Sequence, residues 1–334
     1  MKAVGYKASM PIDEKGALED ITLPDPIPSN KDLLVSVRAV SVNPVDTKIR
    51  LRAAPEEGQY KVLGWDAAGV VEAIGPDVSM FKVGDEVWYS GAVDRPGTNS
   101  ELHLVDERIS AKKPEKLGFA EAAALPLTSV TAWELLFDRL QVDQDSKGTL
   151  LVIGAAGGVG SILIQLAKKL TGLTVIATAS RAKSKEWVTS LGADYVINHN
   201  NSLVAQLKAI GFEQVPYIIS LTHTDEYLKD IVEVIAPQGK FALIDDPPTL
   251  NAMPFKTKSV SIHWELMFTR SLFQTSDMIE QHRALQKLAE MVDAGEIKTT
   301  LGNNFGKITA VNLTKAHKVL EEGTAVGKIV LEGF

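Results

Sequence analysis

The sequence contains no cysteine among its 334 residues. This absence excludes disulfide bonds and thiolate metal ligands together. The first ten residues, MKAVGYKASM, lack the apolar core of a secretory signal, and the net charge of −7 is spread without a long basic stripe. These absences predict a cytoplasmic protein, and they argue against nucleic acid or a membrane as a partner, although a small anion could still bind in a local basic pocket.

The pattern of apolar runs changes near residue 148. From there, short runs such as TLLVIGA and KFALID alternate with amphipathic patterns such as SILIQLAKKL, which predicts a parallel sheet covered by helices on both faces. Before residue 125 the chain carries short β-type runs broken by turn clusters such as LPDPIPSNKD, which predicts a mostly β domain. The predicted fold class is therefore α/β, with a doubly wound domain and a second, mostly β one.

A glycine-rich turn, GAAGGVGS, follows the apolar run LLVI directly. Residues 149–167 around it are uncharged and long enough to span a bilayer, but glycines at 154, 157, 158 and 160 would weaken a single helix. The same glycines suit a strand, a tight turn and a helix whose free N–H groups bind a pyrophosphate. We therefore predict cofactor contacts at Gly157, Gly158, Val159 and Gly160, the alternative being a turn that serves packing only.

The end of the next apolar run bears on the choice between NAD and NADP. An acidic residue about twenty positions beyond the glycine turn would bind the ribose 2′-hydroxyl of NAD. Here that place holds Ser180, Arg181, Lys183 and Lys185, which suit the 2′-phosphate of NADPH because charge-assisted bonds to a phosphate are strong. NADPH is therefore the predicted cofactor, the alternative being a solvated basic start of a helix.

Several motifs together resemble one known family. VSVNPVDTKIR, LGWDAAGVVEAIG, FKVGDEVW, AAALPLTSVTAWELL, LLVIGAAGGVGSILIQLAKKL and GKIVLE occur in the order and over nearly the full length typical of the medium-chain dehydrogenase/reductase superfamily. Within it the sequence is most similar to the quinone oxidoreductase branch and to bacterial zinc-type alcohol dehydrogenase-like proteins. The resemblance implies a GroES-like catalytic domain over 1–125 and 272–334, a Rossmann NADP-binding domain over 126–271, and a cleft that binds the nicotinamide.

Zinc-dependent members of that superfamily have cysteine, histidine and a second cysteine or an acid at three ligand positions. The corresponding stretches here hold Asn43, then Gly64, Trp65 and Asp66, then Leu127 beside Thr128. A catalytic zinc needs three protein ligands and an open position, so we predict a site without metal. The six histidines form no H-x-x-x-H pair and are expected at the surface or in packing, although His199 is also counted among the predicted cofactor-binding residues.

Without a Lewis acid, reduction of a quinone or of an α,β-unsaturated carbonyl is favoured over alcohol oxidation, because conjugation spreads the incoming charge. The resemblance implies Asn43, Asp46, Lys48, Trp65 and Thr128 as candidate catalytic residues, with Asn43 and Thr128 near the nicotinamide. Alternatives remain for three of them. Asn43 could serve as a turn or capping residue, Asp46 as a structural hydrogen-bonding group and Trp65 as a wall of the pocket.

Two other functions remain open from the sequence. One is an NADP-dependent alcohol or aldehyde dehydrogenase with an acid that is not zinc, and the other is a non-catalytic NADPH-binding protein. The stretch SIHWELMFTRSLF resembles the edge strand through which family members pair, followed by a loop over the cofactor. An exposed apolar edge needs a partner, so we expect a homodimer, the alternative being an ordinary buried strand.

Overall fold

Sixteen strands and ten α-helices follow one another in the computed structural model, which describes all residues from 1 to 334. The strands are β1 Lys2–Tyr6, β2 Glu19–Thr22, β3 Asp32–Val42, β4 Lys61–Val62, β5 Asp66–Ile74, β6 Glu86–Ser90, β7 Leu102–Asp106, β8 Ser110–Lys112, β9 Lys147–Ile153, β10 Gly172–Thr178, β11 Tyr195–Ile197, β12 Val215–Ser220, β13 Ile235–Leu243, β14 Ser261–Trp264, β15 Leu301–Asn304 and β16 Lys328–Glu332. The helices are α1 Pro44–Arg52, α2 Phe119–Ala123, α3 Pro126–Trp133, α4 Gly158–Leu170, α5 Ala182–Ser190, α6 Leu203–Ala209, α7 Thr224–Val234, α8 Thr269–Leu272, α9 Ile279–Asp293 and α10 Ala310–Glu321.

The chain divides into two compact units. The first contains Met1–Val130 together with Phe268–Phe334, and the second contains Thr131–Met267. The first unit is therefore built from both ends of the chain, with the second inserted between them. The domain boundaries after 125 and before 272 stay predictions. No helix is long and apolar enough to cross a bilayer.

The first unit is mostly β. Its larger sheet has the order β15-β16-β3-β5-β6-β8, with β7 also paired to β3, and a smaller sheet has the order β2-β1-β4. The long strand β3 pairs antiparallel with β5 on one side and with β16 on the other. Inward-facing apolar side chains alternate along β3, as expected of a sheet with one covered face.

The second unit is a parallel sheet with helices between its strands. The strand order is β11-β10-β9-β12-β13-β14, and every neighbouring pair is parallel. The order reverses beside β9, the first strand of this unit, which is the doubly wound arrangement. The central strand β9 reads as a continuous apolar run because it is buried on both faces. The predicted α/β class is confirmed.

A buried histidine on α10 makes the stability of the first unit depend on pH. His317 is fully buried, neither ring nitrogen has a hydrogen-bond partner, and burial, assisted by the charge of Arg50, lowers its pKa to about 3. Below about pH 6.5 this histidine binds a proton in the unfolded chain but stays neutral in the folded protein. The free energy of unfolding therefore falls as the pH falls through that value.

We expect His317→Leu to remove this dependence. Between pH 8 and pH 5 the unfolding free energy of the variant, relative to that of the parent protein, should rise by about 2 kcal/mol, the size set by the unfolded-state pKa. Denaturant titrations at the two pH values measure this difference. An equal loss of unfolding free energy between pH 8 and pH 5 in the parent and in His317→Leu would contradict a role of His317 in the pH dependence.

Candidate active site

Three strands of the first unit bring distant polar residues to one edge of the larger sheet. β5 begins at Asp66, which lies opposite Ser41 on β3. β16 begins at Lys328, and its Ile329 lies opposite Val42 on the other side of β3. The start of β5, the end of β3 and the start of β16 therefore meet at this edge.

Asp66 is the centre of a hydrogen-bond network and is fully buried. Its Oδ2 accepts bonds from Ser41 Oγ at 2.8 Å, from Asn43 Nδ2 at 2.7 Å and from Lys328 Nζ at 3.0 Å. Its Oδ1 accepts the backbone N–H of Leu127 at 2.7 Å. Because Leu127 lies in the first turn of α3, the carboxylate satisfies a helix N–H that has no partner within the helix.

Lys328 supplies the positive charge of this network and is only 3% exposed. Its ammonium donates to Val42 O at 3.2 Å, to Asn43 Oδ1 and to Asp66 Oδ2. An ammonium has three N–H donors, so each has an acceptor here. A charge this deeply buried is tolerated because it is both paired and fully hydrogen-bonded.

Asn43 and Asp46 lie at the start of α1, which follows β3. Asp46 Oδ2 accepts the backbone N–H of Asn43 at 2.6 Å, while its Oδ1 accepts no bond in good geometry. Burial raises the pKa of Asp46 to about 7, against the opposing effects of the Asn43 N–H and of the charge on Lys328. Burial thus favours the neutral form of the Asp46 carboxyl more than in an exposed aspartate.

The other three candidate catalytic residues differ in what their side chains can offer. The indole N–H of Trp65 donates to Ala92 O at 3.0 Å, and its ring packs edge-on against Phe268 at 5.8 Å. Thr128 Oγ donates to Leu125 O at 3.1 Å, which leaves its oxygen lone pairs as acceptors. Lys48 is half-buried on α1. Because the indole N–H of Trp65 is already bonded and the side chain is fully buried, the geometry argues against Trp65 as a hydrogen-bond donor to a substrate.

The residues at the three zinc-ligand positions do not fit zinc. Asn43 uses both polar atoms of its amide within the network, the indole of Trp65 carries a donor only, and Leu127 is apolar. Asp66, the residue after Trp65, is held by four donors, one of them an ammonium. No group of three or more histidine, aspartate or glutamate side chains is placed to hold a metal ion.

We therefore expect protein purified without a metal-affinity tag to contain far less than one zinc per chain. The reason is chemical, since a catalytic zinc site needs three protein ligands with free lone pairs. Elemental analysis after dialysis measures the content. One zinc per chain that survives dialysis would contradict the expectation and every mechanism built on it.

The glycine turn of the second unit joins β9 to α4. Gly154 has a positive φ of 81°, and Gly157 precedes the first residue of α4. A Cβ on Gly157 would meet only Gly154 O, at 3.6 Å, whereas a Cβ on Gly160 would lie 2.3 Å from Ala155 O. Gly160 is therefore required for close packing of helix against turn. Gly157 faces open space at a helix N-terminus, where backbone N–H groups can bind a phosphate.

Basic residues gather at the same edge of this sheet. Ser180 and Arg181 follow β10, Lys185 lies one turn further along α5, and His199 follows β11. Burial lowers the pKa of His199, and the nearby charges of Arg181 and His223 lower it further. Gly158 and Val159 lie in the first turn of α4, at the edge where β9 ends.

Sequence reasoning missed Lys328 and its link to Asp66. The signal was a lysine that begins the apolar run KIVL of a predicted strand, because a lysine that is buried with such a strand needs a charged partner. His223 was also not singled out. It is exposed, and its Nδ1 bonds Thr222 Oγ1 at 2.6 Å.

Comparisons with known proteins agree with this architecture. Residues 29–131 match the alcohol dehydrogenase GroES-like domain, and residues 191–331 match the zinc-binding dehydrogenase domain. A zinc-type alcohol dehydrogenase-like protein of Staphylococcus aureus is 40% identical over 99% of both chains. A 2-methylene-furan-3-one reductase of Solanum lycopersicum is 30% identical over 99% of this chain and 79% of its own.

Solved structures of related proteins share this two-unit fold. A putative zinc-dependent alcohol dehydrogenase protein of Rhizobium etli is 54% identical, with a TM-score of 0.97 over 100% of this chain and 98% of its own. A mycobacterial protein solved in complex with NADPH is 26% identical, with a TM-score of 0.84 over the whole of both chains. The quinone oxidoreductase of Escherichia coli, at 23% identity, shares the fold, with a TM-score of 0.85 over 100% of both chains.

The parallel unit with its glycine turn, joined to a mostly β unit with buried polar residues, defines an oxidoreductase that uses a nicotinamide cofactor and a small-molecule substrate. The chain belongs to the medium-chain dehydrogenase/reductase superfamily, in its quinone oxidoreductase branch. The predicted GroES-like and Rossmann folds are thereby confirmed.

Proposed function

We propose that this protein is an NADPH-dependent reductase that transfers a hydride to a quinone or to an α,β-unsaturated carbonyl without a catalytic zinc. The observation that carries the proposal is that Asn43, Trp65 and Leu127, at the positions that correspond to the family's zinc ligands, offer no free lone pair to a metal, because the Asn43 amide is bonded to Asp66 and Lys328. With these side chains no Lewis acid is available to polarise a simple carbonyl. A conjugated acceptor needs less help, because its own π-system spreads the added charge.

The balance of the proposed reaction is simple. NADPH supplies a hydride, and the acceptor takes that hydride and one proton to give NADP⁺ and the hydroquinone or saturated carbonyl. We propose that the first unit orients the acceptor near Thr128, while Asn43, whose amide is bonded within the network, fixes the surrounding polar groups. The names of two relatives, the furanone reductase and a chloroplast envelope quinone oxidoreductase homolog of Arabidopsis thaliana, support this substrate class.

NADPH is proposed over NADH because no carboxylate follows β10. Arg181 and Lys185 offer positive charge to a 2′-phosphate instead, and Ser180 and His199 offer hydrogen-bond donors. The mycobacterial structure with NADPH supports this choice by similarity.

A panel of acceptors tests the proposal. Loss of the near-ultraviolet absorbance of NADPH is followed with a quinone, an enone and an aldehyde, with NADH as the control cofactor. Turnover of quinone or enone with NADPH, well above that of the aldehyde, is the expected result. Preferred turnover of the aldehyde would replace the proposal by an alcohol or aldehyde dehydrogenase. Binding of NADPH without turnover of any acceptor would indicate a non-catalytic protein.

We also propose a homodimer formed along β14. This strand ends the parallel sheet, and its Trp264 is 54% exposed. An exposed edge strand that carries a large apolar side chain is satisfied by pairing with a second copy of itself. Sedimentation velocity should give twice the chain mass of 36.1 kDa, and a monomer at micromolar concentration would contradict the proposal.

A further inference from the structure

We propose that Lys328 is a positioning residue for the reaction, acting through Asn43 and Asp66 and not on the substrate itself. The inference rests on the proposed reductase function for its kinetic consequence. Lys328 cannot bind substrate while it keeps its present bonds, because it is 3% exposed and Val42, Asn43 and Asp66 accept from its three donors.

The pair of charges fixes one of the two orientations of the Asn43 amide. The ammonium of Lys328 requires the amide oxygen, and the carboxylate of Asp66 requires the amide nitrogen, at 2.7 Å. Turning the amide over would place like partners together, donor against donor and acceptor against acceptor. Without Lys328, only Asp66 remains to favour the observed orientation of the Asn43 amide.

The same carboxylate reaches the helix that carries Thr128. Asp66 Oδ1 accepts the N–H of Leu127, the residue before Thr128, at 2.7 Å. Removing Lys328 leaves the buried Asp66 without its ionic partner, and a buried unpaired charge draws in water or moves. Lys328 therefore influences both Asn43 and the first turn of α3, although Asp66 and Lys328 are 262 residues apart in the chain.

The test compares three variants. Lys328→Met removes the charge, and the double variant Asp66→Asn with Lys328→Met removes both charges so that none is left buried alone. Lys113→Met is the matched control. Lys113 is also buried in the first unit and donates to Pro114 O at 2.9 Å and Leu117 O at 2.7 Å, with Glu86 at 3.1 Å, but it has no bond to the network.

Four measurements, kcat, the Kd for NADPH, hydrogen exchange at Leu127 and the melting temperature, separate a positioning role from a purely structural one. In Lys328→Met and in the double variant we expect kcat to fall by about tenfold to a hundredfold, the size that misplacement of about 1 Å produces. The Kd for NADPH should stay within about twofold, because the proposed phosphate contacts come from the glycine turn and from the residues after β10, and none of these bonds to the network. Hydrogen exchange at the Leu127 amide should become about tenfold faster in Lys328→Met, as local opening becomes easier. Lys113→Met should lower the melting temperature and change neither kcat nor this exchange.

The outcomes are distinguishable from failure of the proposed function. If the parent protein reduces neither quinone nor enone, the reductase proposal fails, and exchange at Leu127 still decides whether Lys328 holds the start of α3. Unchanged kcat and unchanged exchange in a folded Lys328→Met variant would overturn the inference. Loss of folding in both the single and the double variant would assign the pair to stability alone and would overturn it as well.

Discussion

Replacing Gly157 with valine should abolish binding of NADPH and of NADH while the protein stays folded. The backbone at Gly157 has a φ of −75°, which a branched residue adopts readily, and a Cβ there meets only one atom, at 3.6 Å. Its side chain would instead occupy the space in which a pyrophosphate approaches the N-terminus of α4. With the phosphate bonds lost, affinity should fall by about a hundredfold or more.

Gly160 provides the contrast that makes this test decisive. Its Cβ would lie 2.3 Å from Ala155 O and 2.5 Å from Ala155 Cα, so Gly160→Val must displace the backbone. We expect that variant to lose stability as well as binding. Fluorescence titration with each cofactor and thermal melting are measured side by side. A folded Gly157→Val protein that binds NADPH like the parent would show that the pyrophosphate binds elsewhere.

Replacing Arg181 with alanine should weaken the binding of NADPH by about tenfold to a hundredfold and leave the binding of NADH nearly unchanged. The guanidinium is proposed to bind the 2′-phosphate, a group that NADH lacks. Loss of one charge-assisted hydrogen bond lowers an affinity by about this factor. Arg181 precedes α5 and its charge acts on His199, so the two residues share one region at the end of the sheet.

The control for Arg181 is a lysine at the opposite end of a neighbouring helix. Lys169→Ala removes one exposed positive charge from the last turn of α4, away from the glycine turn. It should leave both affinities unchanged. Dissociation constants for the two cofactors are measured for both variants at one ionic strength. Equal losses for NADPH and NADH in Arg181→Ala would refute the proposed contact.

Much of the parallel unit was predictable from the sequence because its signals are local. β9 reads as the run KGTLLVI, the glycine turn follows at once, and α4 shows its apolar face at helical spacing. Helix α6 and the π-helical turn Glu134–Arg139 were not predicted. The π-helical turn contains a hydrogen bond from Leu140 N to Leu135 O, five residues earlier. No pattern of residues in the sequence predicts such a bond.

The active-site region was harder to predict because its partners are brought together by strand pairing. The motif positions singled out Asn43, Asp46 and Thr128 as candidates, and their roles stay proposals. What the sequence could not supply is the register that sets Ser41 opposite Asp66 and Ile329 opposite Val42. That register decides that the charge beside Asn43 is an ammonium.

The placement of β16 beside β3 has a consequence for the order in which the protein forms. The second unit is one continuous stretch, Thr131–Met267, and its strands pair with partners that emerge from the ribosome close together. The larger sheet of the first unit must wait for Lys328, 262 residues after Asp66. Long-range pairing of this kind is slow because a large loop is closed first. During synthesis the carboxylate of Asp66 therefore lacks its partner Lys328 until nearly the whole chain has been made. The polar network is completed by the last strand, β16.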